Sequence, residues 1–201
     1  MNNRFVILGA GKNQWTQENS SFFKIGNEYS LLNWQVSTSE ILNCSRIDYV
    51  AGYNVDSLRT CLPSTDSIHI VYNKNWEETN SLYSLLLLDF NKNENLFVIY
   101  NDILLEEEFI EKLKLNLSQN AITCLVDSTY PSRFTRNKKK PKCEIILNGV
   151  KKFEFVGFVH IPKKFLPFLL ELQKNKTTYE PASMSQLLKI AEEHNIPTIY
   201  L

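Results

Sequence analysis

Short apolar runs alternate along the chain with longer stretches whose apolar residues recur at helical spacing. Arg4-Phe-Val-Ile-Leu8, Arg46-Ile-Asp-Tyr-Val-Ala51, Ser67-Ile-His-Ile-Val-Tyr72, Leu96-Phe-Val-Ile-Tyr100 and Ala121-Ile-Thr-Cys-Leu-Val126 are rich in residues that favour extended structure and predict strands. Ser30–Leu42 brings Leu31, Trp34, Thr38, Ile41 and Leu42 near one helical face, and Val55–Cys61, Asn80–Leu88 and Glu106–Leu117 predict further helices. Asn54 is placed to cap Val55–Cys61, and Pro63 stops it. Cys143–Leu147 and Lys151–Ile161 flank Asn148-Gly149 and read as a hairpin, with helices at Lys163–Gln173 and Ser183–Glu193 beyond it. Such alternation predicts an α/β fold with a mainly parallel sheet, in which ligands bind beyond the carboxyl ends of the strands.

Composition narrows the picture. At 201 residues and 43% hydrophobic, the chain is long enough for a full core, and one domain over 1–201 is expected. Acidic and basic residues number 22 each, so no global field points to nucleic acid or to an anionic membrane. The exception is Ser128–Lys142, where Arg133, Arg136, Lys138, Lys139, Lys140 and Lys142 make a basic hairpin or a flap for phosphates. Cys44, Cys61, Cys124 and Cys143 are widely spaced, which argues for reduced thiols rather than zinc or a disulfide scaffold. His69, His160 and His194 are scattered, without metal or triad spacing. The amino-terminal apolar run is too short for a signal sequence or a membrane span, so a soluble cytoplasmic protein is expected.

The first strand runs straight into Gly9-Ala-Gly-Lys12, an arrangement suited to bringing backbone N–H groups close to phosphate. Two familiar phosphate loops fail. A P-loop requires glycine and Ser/Thr where Val6 and Asn13 stand, and the dinucleotide fingerprint requires a third glycine at Gln14.

What remains resembles the nucleotidyltransferase family, which joins an NTP to a sugar phosphate or a small phosphorylated alcohol. Gly9-Ala-Gly-Lys12 matches the first half of that family's glycine-rich opening, and Phe23-Lys24-Ile25 stands where its Pro-Lys pair falls. Asn13 and Trp15 depart from the pattern, Trp15 replacing an arginine that would hold the triphosphate. Asn73, Trp76, Asn80, Ser81, Ser84 and Leu85 match in register a segment found in relatives that activate phosphocholine or phosphonates with CTP. Gly52-Tyr53-Asn54 and Phe155-Val-Gly-Phe158 resemble two further elements, and Asp102 sits at the strand end where the family carries a magnesium-binding aspartate.

The resemblance implies a three-layer, Rossmann-like fold of the nucleotide-diphospho-sugar transferase kind. It implies Lys12, Lys24 and Asp102 as catalytic residues, with Asp102 carrying Mg²⁺. It places Leu8, Gly9, Ala10, Gly11, Lys12, Gly52, Tyr53, Asn80 and Ser81 at the nucleotide, and Asn73, Trp76, Ser84 and Gly157 at the acceptor. The implied reaction joins an NTP, CTP being favoured, to a small phosphorylated acceptor with release of pyrophosphate, for decoration of cell-surface polysaccharide. Neither nucleic acid nor membrane is an expected partner. A second metal-binding aspartate of the family would follow a last strand, and the chain stops at Asn195–Leu201, about where that strand would begin. The expectation is therefore a truncated chain, a single protein carboxylate or an acid from a partner. Two other readings stand beside the enzyme: a weak or inactive nucleotide-binding domain of a larger surface-polysaccharide protein, and a scaffold without nucleotide.

Overall fold

A computed structural model describes residues 2–12, 19–25, 29–62, 68–90, 93–127, 144–147 and 151–201. The expectations that fall on Asn13, Trp15, Pro63, the basic segment 128–142, Cys143 and the Asn148-Gly149 turn lie outside those residues.

The strands are β1 (Asn3–Gly9), β2 (Lys24–Ile25), β3 (Tyr29–Ser30), β4 (Cys44–Ala51), β5 (Ile68–Tyr72), β6 (Asn95–Tyr100), β7 (Ile122–Asp127), β8 (Glu144–Leu147), β9 (Lys151–Ile161) and β10 (Thr198–Tyr200). The α-helices are α1 (Leu31–Ile41), α2 (Val55–Cys61), α3 (Ser81–Leu85), α4 (Glu107–Asn116), α5 (Leu166–Lys174) and α6 (Met184–Glu193). Among the described residues, eight strands form one sheet in the order β10-β7-β9-β6-β1-β4-β5, with β8 paired to β9, while β2 and β3 make a small ribbon. β1 lies parallel to β4 and β6, β4 to β5, and β10 to β7. β9 enters antiparallel between β6 and β7, so the sheet is mixed and mainly parallel.

Both faces are covered, which is why the strands read as unbroken apolar runs. The period of two sends Val6, Leu8, Val50 and Val98 to one face, where Leu82, Leu85, Leu169, Leu172, Leu187 and Leu188 of α3, α5 and α6 pack. It sends Phe5, Ile7, Tyr49, Phe97 and Ile99 to the other face, against Leu32, Leu58, Ile110 and Leu113 of α1, α2 and α4. The result is the expected three-layer α/β/α arrangement.

Local signals set the helix ends. Ser30 and Ser183 close capping boxes with Asn33 and Gln186. Two expectations need correction. Asn54 adopts the left-handed conformation (φ 53°) and its side chain accepts from Ser57 Oγ (2.8 Å), so it makes no side-chain cap on α2. The helix expected over Asn80–Leu88 ends at Leu85. Leu87 and Leu88 turn back through bonds to Ser84 and Leu85, and Gln173 Nε2 donates to the carbonyls of Leu86 and Leu88 (2.9 and 2.7 Å). Among the described residues, no helix is long and apolar enough to cross a membrane.

Candidate active site

Three chain segments meet beyond the carboxyl ends of β1, β5 and β6 around an open cavity of about 470 Å³. Leu8, Ala10, Gly11, Lys12 and Ser20 form one wall; Asn73, Trp76, Thr79, Asn80, Ser81 and Ser84 form the second; Tyr100, Asn101 and Asp102 form the third.

The two glycines of the first wall differ. A Cβ on Gly9 would lie 2.1 Å from the Tyr49 hydroxyl, so Gly9 is small because β4 reaches beneath it, and it does not line the cavity. Among the described residues, no atom lies within 4 Å of where a Cβ on Gly11 would stand. Packing against the described residues does not demand that glycine; the open space beside it does if a ligand's phosphates fill it. Gly52 serves the turn indirectly, because a Cβ there would strike the Ala10 carbonyl oxygen and the Trp76 side chain (both 2.5 Å). The N–H of Tyr53 donates to the same Ala10 carbonyl (2.8 Å). Tyr53 meets Trp76 edge to face (5.4 Å between ring centres), and Lys12 Nζ sits 5.3 Å from the centre of the Tyr53 ring. This cation–π contact orients the lysine at the cavity rim.

In the second wall, buried Asn73 shapes the segment. Its Nδ2 donates to Thr79 Oγ1 (2.9 Å) and Ser84 Oγ (3.1 Å), while its Oδ1 accepts from the Asn75 N–H (3.0 Å). Asn80 caps α3 by accepting from the Ser81 N–H (2.7 Å), and Ser81 Oγ bonds the Tyr100 hydroxyl (2.9 Å) and the Met184 N–H (3.0 Å). Gly157 lets β9 pass under the third wall. Its φ is +103°, and a Cβ would come within 2.9 Å of both Tyr100 and Ile103.

Of the residues expected from the sequence, Leu8, Ala10, Gly11, Lys12, Asn73, Trp76, Asn80, Ser81, Ser84 and Asp102 face one cavity. Gly9, Gly52, Tyr53 and Gly157 support its walls from behind. Lys24, on β2, is exposed and is not part of the wall. Ser20, Thr79, Tyr100 and Asn101 are wall residues that the sequence reading missed. Tyr100 and Asn101 had a signal, since they directly precede Asp102 at the end of a strand.

Asp102 is the carboxylate on the wall, and among the described residues no group of three or more His, Cys, Asp or Glu side chains forms a metal cage. That set fits a magnesium ion that arrives with its nucleotide, because Mg²⁺ keeps most of its waters and takes one or two protein carboxylates plus phosphate oxygens. Neither Cys44 nor Cys124 lines the cavity, and burial pushes the Cys44 thiol up to about 12 and raises that of Cys124 as well.

No family model and no curated protein matches the sequence. Solved structures do match over the whole chain. A CTP:phosphocholine cytidylyltransferase from Streptococcus pneumoniae aligns at 14% identity and TM-score 0.68, covering 100% of this chain and 90% of that one. An inositol-1-phosphate CTP transferase from T. maritima aligns at 15% identity and TM-score 0.71, covering 100% and 85%. A UDP-glucose pyrophosphorylase complexed with UDP-glucose aligns at 12% identity and TM-score 0.71, covering 100% and 90%. From end to end, the chain has the fold of the nucleotidyltransferases.

Proposed function

We propose that the protein is a nucleotidyltransferase that joins an NTP, CTP in preference, to a small phosphorylated acceptor and releases pyrophosphate. The observation that carries this reading is the single cavity shared by Gly11, Lys12, the Asn73–Ser84 segment and Asp102. An acceptor phosphate oxygen attacks the α-phosphorus in line, forming one P–O bond as the bond to pyrophosphate breaks. Positioning and charge neutralisation carry such a transfer. The amides around Gly11, with Lys12, hold the β- and γ-phosphates. Lys24 approaches the α-phosphate from the ribbon that adjoins the first wall, and Asp102 would hold Mg²⁺. That ion, when bound, would neutralise charge on the phosphates. Trp76 and Tyr100 offer the acceptor aromatic surface. The preference for CTP rests on the Asn73–Leu85 segment and on two solved relatives whose names specify CTP with a phosphorylated alcohol. Decoration of surface polysaccharide, carried out in the cytoplasm where NTPs are made, is the matching role.

The test is to incubate the protein with each NTP, Mg²⁺ and a panel comprising phosphocholine, an aminoalkylphosphonate, phosphoglutamine and sugar 1-phosphates, and to measure pyrophosphate. Release with CTP and one acceptor is the expected result; none with any pair overturns the reading. The position of Lys24 outside the wall favours, as a second reading, a nucleotide-binding domain without turnover, which predicts thermal stabilisation by an NTP and no pyrophosphate.

A further inference from the structure

Beneath the cavity, three separate chain segments are tied together by one buried hydroxyl. Tyr49 of β4 and Ser21 are fully buried, and Asn19 is 2% exposed. The Tyr49 hydroxyl donates to Asn19 Oδ1 (3.0 Å) and accepts from Asn101 Nδ2 (3.3 Å). Its single proton being committed to Asn19, Ser21 Oγ must be the donor in the 2.6 Å bond between the two hydroxyls. Asn19 Oδ1 also takes the Ser21 N–H (3.0 Å) and a second contact from Asn101 Nδ2 (3.2 Å). The backbone closes the loop, because the Asn101 N–H donates to the Leu8 carbonyl (3.1 Å) and the Tyr49 ring occupies the space that Gly9 leaves. Burial raises the Tyr49 phenol; the bonds with Ser21, Asn101 and Asn19 pull it back, and the negative charge of Asp102 adds to the rise.

The neighbours of this knot face the cavity on opposite sides: Ser20 in one wall, Asn101 and Asp102 in another. We propose that Tyr49 is a positioning residue that holds the segment after the glycine turn and the Asp102 turn in register around one ligand. It touches no substrate. It acts through Asn19 on the segment that presents Ser20, and through Asn101 on the turn that presents Asp102. A buried hydroxyl that bonds three partners at once fixes their relative positions, because breaking any of these bonds leaves a polar group without water to replace it. Losing it lets the two walls move independently, and a displacement of about 1 Å at reacting groups is worth on the order of 100-fold in rate.

The inference rests on the transferase reading for its catalytic consequence and on the knot alone for its mechanical one, so the experiment reads both. Tyr49→Phe keeps the ring under Gly9 and removes only the hydroxyl, while Ile47→Val trims the same core without touching the knot and serves as the control for lost stability. Amide hydrogen exchange at Ser21 and Asn101 is expected to quicken about tenfold or more, together, in Tyr49→Phe and not in Ile47→Val. Pyrophosphate release is expected to show kcat lowered about 10- to 100-fold, with KM for the NTP within about threefold and a higher Mg²⁺ concentration for half-maximal rate. Exchange at those two amides that is unchanged, or raised equally in the control, overturns the role of Tyr49, as does a Tyr49→Phe enzyme with wild-type kcat. Wild-type protein that releases no pyrophosphate would overturn the transferase reading instead, and the exchange data would still decide for or against the tie.

Discussion

The two ends of β1 treat charge in opposite ways. At the amino end, Arg4 is 1% exposed and pairs with Asp48, which is fully buried and also receives Arg46 (2.9 and 2.7 Å) and His69 (3.0 Å). A guanidinium nitrogen of Arg4 donates in addition to the Asp89 carbonyl. The protein thus spends these charges on itself. At the carboxyl end, Gly11, Lys12 and Asp102 are exposed at the cavity, and Lys12 rests against the Tyr53 ring in a soft cation–π contact. Polar groups that answer one another are structural; polar groups gathered on one concave surface and left facing outward are available to a ligand.

That contrast can be broken in four ways. The largest expected effect is on stability at the amino end: Arg4→Met leaves the Asp48 carboxylate buried with reduced compensation and should cost about 3–5 kcal/mol. Urea unfolding measures it, and pyrophosphate release by the folded protein at low temperature should stay within about twofold of wild type. The carboxyl end should answer in rate instead. Asp102→Asn and Lys24→Ala are each expected to lower turnover on the order of 100-fold, with little change in melting temperature. A near wild-type rate in Lys24→Ala would remove that residue from the catalytic set and leave Lys12 as the cation among the described wall residues.

The third test concerns a charge that the core refuses. His160 lies 1% exposed between strands, 4.9 Å from the Phe97 ring, with neither ring nitrogen hydrogen bonded among the described residues, and burial lowers its pKa from 6.5 to about 4. Below pH 6.5 the unfolded chain takes up a proton that the folded one does not, so stability falls as pH drops from 6.5 towards 4, by about 3 kcal/mol in all. Urea titrations at several pH values should show that slope, and His160→Leu should flatten it. The smallest effect separates the two glycines. Gly9→Ala collides with Tyr49 and should lose about 1–3 kcal/mol of stability, whereas Gly11→Ala should melt near wild type and lose the stabilisation conferred by NTP. Equal behaviour of the two would mean that the turn does not face a ligand.

Much of this architecture was legible in the residues. Strands such as Phe5–Leu8 and Leu96–Tyr100 are uniformly apolar because helices cover both faces of the sheet, and the boundaries of β4, β6, β9 and α1 fall within about two residues of their expected places. Helix ends were less readable where a distant side chain intervenes, as Gln173 does at Leu86 and Leu88. The cavity was legible as three motifs after three strands. Its lining by Ser20 and Thr79 was not, because Ser20 belongs to no motif and Thr79 falls at a position that the Asn73–Leu85 pattern leaves unspecified. Nor was the inward use of Gly9, since a glycine carries no mark of whether a ligand or a tyrosine approaches it.

The sequence by itself determined the order of strands and helices, the apolar faces that must be buried, and the presence of a glycine turn, a polar loop and an acid at successive strand ends. These follow from local periodicity and residue chemistry, which depend on neighbours along the chain. Only the tertiary structure decided that the three motifs open on one cavity, that Lys24 stands outside its wall, and that Tyr49 joins Asn19 to Asn101 beneath it. Those are contacts between residues about 30 to 80 positions apart. They exist only once the parallel register of β1, β4 and β6 has brought the strand ends side by side.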